Sequence, residues 1–156
     1  MKKKALSLLA FIPAFTTVTA QHPAVPDVCA LVNPIIGTNG MGHTFPGACA
    51  PFGLVQLSPD TDTIPHNVDG VYQKNAYEYC AGYQHCDQTI VGFSHTHLSG
   101  TGHSDLGDIL IMPATGELKL NPGRADTPDE GYRSRFSHET EVARPGYYEV
   151  ELTDYG

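Results

Sequence analysis

The run Gly92-Phe93-Ser94-His95-Thr96-His97-Leu98-Ser99-Gly100-Thr101-Gly102-His103-Ser104-Asp105-Leu106-Gly107 gathers imidazole, hydroxyl and carboxylate groups into one stretch of chain. Side chains alternate across a strand, so His95 and His97, and Ser99 if the strand extends that far, project to one face. Polar groups gathered in this way are costly to bury unless each has a partner. The run therefore reads as a built site. A His-x-His pair on one strand face can chelate zinc, with His103, Asp105 and the pair His85/Cys86 as further donors. The pattern of binuclear zinc hydrolases wants Asp where Ser99 stands and His where Gly100 stands. Histidines hydrogen-bonded within a polar cleft are the simpler account. Gly102-His103-Ser104-Asp105-Leu106 approximates a nucleophile elbow, but Leu106 replaces its final glycine and a strand pattern follows where a helix is needed. Gly37-Thr38-Asn39-Gly40-Met41-Gly42-His43 lacks the glycine spacing and the lysine of a nucleotide loop. It suits backbone contact with a carbohydrate or another domain.

Short strands must position these groups. Sixteen glycines and twelve prolines among 156 residues leave no stretch with a 3.6-residue apolar period. Strands are predicted at residues 53–57, 89–97, 108–112, 117–120, 131–137, 139–143 and 147–153. In the fifth, Arg133, Arg135 and Ser137 alternate with Tyr132, Ser134 and Phe136, as on a half-exposed strand. Pro145-Gly146 marks a turn that pairs the last two strands as a hairpin, and Asn121-Pro122-Gly123 marks another. Short strands with such turns predict an all-β fold, an antiparallel β-sandwich. Residues 60–88, rich in Tyr, Asp, Asn and His, read as a long irregular loop near the ligand cleft.

The motif GFSHTHLSGTG with Asp105-Leu106-Gly107-Asp108-Ile109-Leu110-Ile111-Met112-Pro113 resembles the N-terminal domain of glycoside hydrolase family 92, a family largely of calcium-dependent exo-α-mannosidases. Further blocks resemble it in the same order: Val32-Asn33-Pro34-Ile35-Ile36-Gly37-Thr38, Gly42-His43-Thr44-Phe45-Pro46-Gly47-Ala48, Pro51-Phe52-Gly53-Leu54-Val55-Gln56-Leu57-Ser58-Pro59-Asp60 and Tyr79-Cys80-Ala81-Gly82-Tyr83. The resemblance implies an exported enzyme that removes terminal α-linked mannose from N-glycan-type glycans with inversion. It also implies that the catalytic carboxylates and most calcium ligands lie on a C-terminal helical domain, absent here, which would be this domain's partner. This domain would then supply cleft walls and contacts to a mannose-containing glycan. The candidates are His43, Cys80, His95, His97, Ser99, Thr101, His103 and Asp105, each as a sugar contact or as hydrogen-bonding support for the cleft or domain interface. The chain has no Trp, and Tyr72, Tyr77 and Tyr79 stand in the family's aromatic-rich region. With Tyr83, these rings alternatively suit a carbohydrate-binding module without catalysis. A structural fragment with a sticky face is the third reading.

Cys29, Cys49, Cys80 and Cys86 allow three full pairings. The resemblance hints at a Cys80–Cys86 bridge, with a buried Cys80 thiol equally open. Lys2, Lys3 and Lys4, the apolar residues 5–15 and Val18-Thr19-Ala20 read as a signal peptide over residues 1–20, cleaved near Ala20. Its apolar stretch is too short for a membrane span, which needs about 20 residues. Export to the periplasm or the extracellular space follows. Without the leader, six basic residues face seventeen acidic ones, a net charge of −11, which argues against nucleic acid or anionic membrane as a partner. Residues 21–156 then form the N-terminal sandwich domain. The strand close to Gly156 suggests the front part of a longer product.

Overall fold

The computed structural model describes residues 26–51, 53–100 and 109–155. The leader at 1–20 and the candidates Thr101, His103 and Asp105 lie outside them. The described chain is all-β and antiparallel, as its punctuation predicts. Its strands are β1 (Ser58–Asp60), β2 (Asn67–Val68), β3 (Val71–Tyr72), β4 (Thr89–Ile90), β5 (Gly92–Ser94), β6 (Ser134–Arg135), β7 (Val142–Arg144) and β8 (Tyr147–Glu149). They pair as β1–β5, β2–β3, β4–β6 and β7–β8. Short 3-10 turns at Val28–Leu31, Gly40–Gly42, Lys74–Tyr79 and Pro128–Glu130 complete the regular structure.

The strand predicted at 89–97 is divided between two partners. Thr89 and Ile90 pair with Arg135 and Ser134, whereas Gly92 to Ser94 pair with Asp60 to Ser58. Val91 marks the change, donating its N–H to the Asp60 carbonyl at 2.8 Å. On its other side β5 exchanges both hydrogen bonds between Phe93 and Ile111, which is all that forms of the strand predicted at 108–112 among the described residues.

Three other expectations need correction. Residues 53–57 form no strand. Leu54, Val55 and Leu57 are exposed, Leu57 makes only an isolated bridge to Ala48, and the ladder starts at Ser58, where burial starts. Residues 117–120 are exposed and unpaired in any ladder. The strand predicted at 131–137 shrinks to β6 because Gly131 presses on the 122–123 turn, where a Cβ would lie 2.2 Å from the Gly123 nitrogen. The 60–88 segment also holds more structure than expected. Asp69 and Gly70 adopt φ of 51° and 82°, the two positive values of a tight hairpin turn, and join β2 to β3. The β7–β8 hairpin forms about Pro145-Gly146 as predicted, with Gly146 at φ 74°.

Tyr83, Ile90 and Phe136 form the buried apolar cluster, with Phe93, Val150 and Leu152 against it. No disulfide joins the four cysteines, so the hinted Cys80–Cys86 bridge is not made. Cys80 is buried with its thiol donating to the Tyr77 carbonyl, while Cys86 is exposed. Ile90 is wholly buried at the junction of β4 and β5. Truncation by Ile90→Ala is expected to cost about 2–5 kcal/mol in urea unfolding, against under about 0.5 kcal/mol for Leu120→Ala at the surface. Equal losses would contradict this placement of the core.

Candidate functional site

Beyond Ser94 the chain leaves its ladder, and His97 turns into the interior, where only 2% of it is exposed. Its Nδ1 donates to the Gln56 carbonyl at 2.8 Å, and its Nε2 meets Asp60 Oδ1 at 3.1 Å and Ser94 Oγ at 3.2 Å. Asp60 Oδ2 accepts the Ser94 N–H at 2.8 Å. Phe45 covers the ring, with centroids 5.1 Å apart. Gly82 closes the knot from the remaining side. A Cβ there would lie 2.3 Å from Asp60 Oδ1 and 2.8 Å from His97 Nε2, and its φ of +77° favours glycine.

The other candidates gather around this knot. The Gly100 N–H donates to the His43 carbonyl at 2.7 Å, tying the glycine loop to the end of the histidine run. His43 is buried in the left-handed conformation, edge-on to Tyr77 at 4.8 Å, and its Nε2 has no hydrogen-bond partner among the described residues. His95 is half-buried. Its carbonyl accepts from Gln56 N–H at 2.9 Å, and its Nδ1 donates to the Ile109 carbonyl at 2.7 Å. Ser99 is exposed and Cys80 is fully buried. The structure thus brings His43, His95, His97 and Ser99 into one region, with His97 and Cys80 turned inward.

The tyrosine platform is not formed, since Tyr79 and Tyr83 are buried and only Tyr72 of the four proposed rings is well exposed. The His95/His97 zinc pair is not formed either: His97 turns inward with its Nε2 held by Asp60 and Ser94, while His95 stays outside on the Ile109 carbonyl. Among the described residues, the group able to hold a metal is His85, His138 and Glu141. Two imidazoles and one carboxylate do not fit calcium, which takes six to eight oxygens.

A second polar centre escaped the sequence reading. Arg133 was expected on an exposed strand face but is buried. Its guanidinium donates to the Thr61 carbonyl at 3.2 Å, to Thr89 Oγ1 at 3.1 Å and to the Asp62 carbonyl. Burial pulls its pKa down, while Asp62 and Asp87 oppose that shift. Burial also pushes the carboxyls of Asp62 and Asp87 up, and hydrogen bonds from Ile64 and His66 to the first and from Thr61 and Tyr79 to the second draw them part of the way back, with a smaller pull from Arg133. The Tyr79 hydroxyl, itself pushed up by burial, donates to Asp87 at 2.9 Å and meets Thr63 Oγ1 at 2.7 Å. This centre floors an open cleft of about 570 Å³, walled by Ile64, Val91, Pro122, Arg124 and Asp126. A lone arginine in an alternating pattern carries no signal for such burial.

The four sequence blocks that meet at the knot are matched together by one family model. The model of the glycosyl hydrolase family 92 N-terminal domain matches residues 31–156. The chain belongs to this family. It is 51% identical to a family 92 α-mannosidase from Bacteroides thetaiotaomicron, solved alone and with mannoimidazole, over 83% of this chain and 16% of that one, with a TM-score of 0.72. A second solved family 92 glycosyl hydrolase is 35% identical over 81% of this chain and 14% of its own, with a TM-score of 0.59. An uncharacterized secreted glycosidase of Arthroderma benhamiae is 29% identical over 95% of this chain and 17% of its own length. The chain thus spans less than a fifth of each of these relatives. For this family 92 domain, Gly82→Ala is expected to cost at least about 2 kcal/mol, through clash and backbone strain together. Gly70→Ala, with a similar φ but open space around it, is expected to cost only about 1 kcal/mol. Thermal and urea melts of both variants decide it, and a tolerated Gly82→Ala would contradict the packing of the knot.

Proposed function

We propose that this chain forms one wall of the substrate cleft in an exported family 92 α-mannosidase that releases terminal α-linked mannose from N-glycan-type glycans. The carrying observation is the junction of His43 with Gly100. It sets Ser99 and His95 at an accessible edge above a rigid buried knot. Ser99 and His95 contact the sugar, while His97 and Cys80 hold the wall in place. Inverting hydrolysis needs one carboxylic acid to protonate the leaving oxygen and one carboxylate to activate water, about 6.5–9.5 Å apart. The Asp62 carboxylate is held by the Ile64 N–H and His66, and that of Asp87 by Tyr79 and Thr61, so neither serves. The catalytic pair belongs to a partner domain, which also holds calcium, as the family resemblance implies.

Exposed Leu31, Ile36, Leu54, Ile109, Leu118 and Leu120 support docking of that domain. A small domain that leaves so many large apolar side chains in water expects a covering surface. The leader-like sequence and the secreted relative support export, and no helix among the described residues is long and apolar enough to cross a membrane.

The test uses the polypeptide encoded by the whole reading frame and α-linked mannosyl disaccharides. Mannose release is expected with calcium and is expected to stop with chelator. Ser99→Ala is expected to lower kcat/KM by about fivefold to tenfold, the worth of one sugar hydrogen bond, without moving the melting temperature. Residues 21–156 alone are expected to release none. Turnover by that segment alone, or an unaffected Ser99→Ala enzyme, would overturn the division of labour.

A further inference from the structure

Beside the apolar cluster, where Phe136 packs edge-on against His138, the side chain of Glu141 is buried, with 3% of it exposed. Its two oxygens have different neighbours. The hydroxyls of Tyr83 and Tyr148 both donate to Oε1, each at 2.7 Å. Oε2 faces two imidazoles instead: His138 Nδ1 at 2.7 Å and His85 Nδ1 at 3.9 Å. The rings of His85 and His138 lie 4.1 Å apart.

The tautomer of His138 is set by its other nitrogen. Nε2 lies 3.2 Å from the Asp87 carbonyl, and a carbonyl only accepts, so Nε2 carries the hydrogen. Nδ1 of the neutral ring then turns a lone pair on the lone pairs of Oε2. Two acceptors at that separation need a cation between them. A metal ion can fill that place, with His85 beside it as a third donor. Metal-bound histidines commonly donate their second nitrogen to a carbonyl, and metal-bound carboxylates are themselves hydrogen-bonded. Asp87 and the two tyrosines already provide both supports.

We propose that His85, His138 and Glu141 form a binding site for a divalent transition ion of the zinc class, with water in the fourth position. Two imidazoles and one carboxylate suit such an ion and disfavour calcium or magnesium. The donor atoms lie within 4.8 Å of one another. Ligands on a tetrahedral zinc stand roughly 3.3 Å apart, so His138 must withdraw slightly from Glu141 while His85 closes in. Both histidines are partly exposed, at 41% and 33% of their side chains, which gives the ion a route in and the rings room to move. The backbone on each side is anchored: His85 N–H donates to Thr38 at 2.8 Å, and Thr140 N–H closes the Ser137–Thr140 turn at 3.0 Å. The ion would clamp the 83–87 turn to the segment leading into β7. The site is separate from the proposed sugar edge and does not depend on the mannosidase reading.

The chelator-stripped full chain with Cys29→Ser, Cys49→Ser and Cys86→Ser, which removes the accessible thiols, is titrated with zinc chloride by calorimetry. One ion per chain is expected, with proton release seen as a dependence of the heat on buffer ionisation. His85→Gln and His138→Gln are each expected to weaken binding by at least about tenfold. The metal-free melting temperature of His85→Gln should change little, since that ring is partly exposed and contributes one long contact to the Tyr83 hydroxyl. Calcium chloride is expected to give no binding. Absence of saturable zinc binding, equal binding of calcium, or undiminished zinc binding in both histidine variants would overturn the site.

Discussion

The structure depends on keeping a charged and polar knot satisfied out of water. Among the described residues, ten buried polar or charged residues stand against seven buried hydrophobic ones. Burial of oily surface alone cannot hold such an interior together, so each buried polar atom must be matched or its desolvation counts against the fold. Asp60, Ser94 and His97 answer this most directly. One carboxylate bridges a backbone N–H of β5 and an imidazole whose other nitrogen reaches back to Gln56. The strand β1, the strand β5 and the loop carrying the histidine run are thereby fixed together, and Gly82 brings the 79–83 turn into contact with them.

The same principle organises the rest of the molecule. Arg133 gathers the carbonyls of Thr61 and Asp62 together with Thr89 Oγ1, and Glu141 gathers Tyr83, Tyr148 and His138. These centres lie where short ladders meet, which compensates for strands of only two or three residues. Such strands bury little side-chain area each, so polar links between them must supply register and rigidity. An edge built this way resists deformation near Ser99, which is what the sugar contact proposed there would require. The exposed leucines lie outside these links and remain free to meet another surface.

Local features were legible in the sequence and distant ones were not. Pro145-Gly146 announced its hairpin, alternation and turn residues announced an antiparallel all-β chain, and the ordered blocks announced the family. The Asp69-Gly70 turn carried an equally plain hairpin signal inside a segment read as irregular. The burial of Arg133 had no local sign, because its acceptors Thr61 and Asp62 lie more than seventy positions away. The convergence of Tyr83 on Glu141 spans 58 positions and was equally hidden. His97 was read as facing a cleft because strand alternation was extended past Ser94, where the ladder ends and the ring turns inward. Pattern reasoning fails there for a physical reason: once pairing stops, the two-residue period no longer dictates direction.

The most direct test of this account is a double-mutant cycle on the knot, using the near-isosteric changes Asp60→Asn and His97→Gln with urea unfolding as the readout. If Asp60 and His97 support one another, the double variant will lose little more stability than the worse single one, with a coupling of about 1–3 kcal/mol. Losses that add to within about 0.5 kcal/mol would mean that the two residues act independently, and that the constraint holding the fold lies elsewhere.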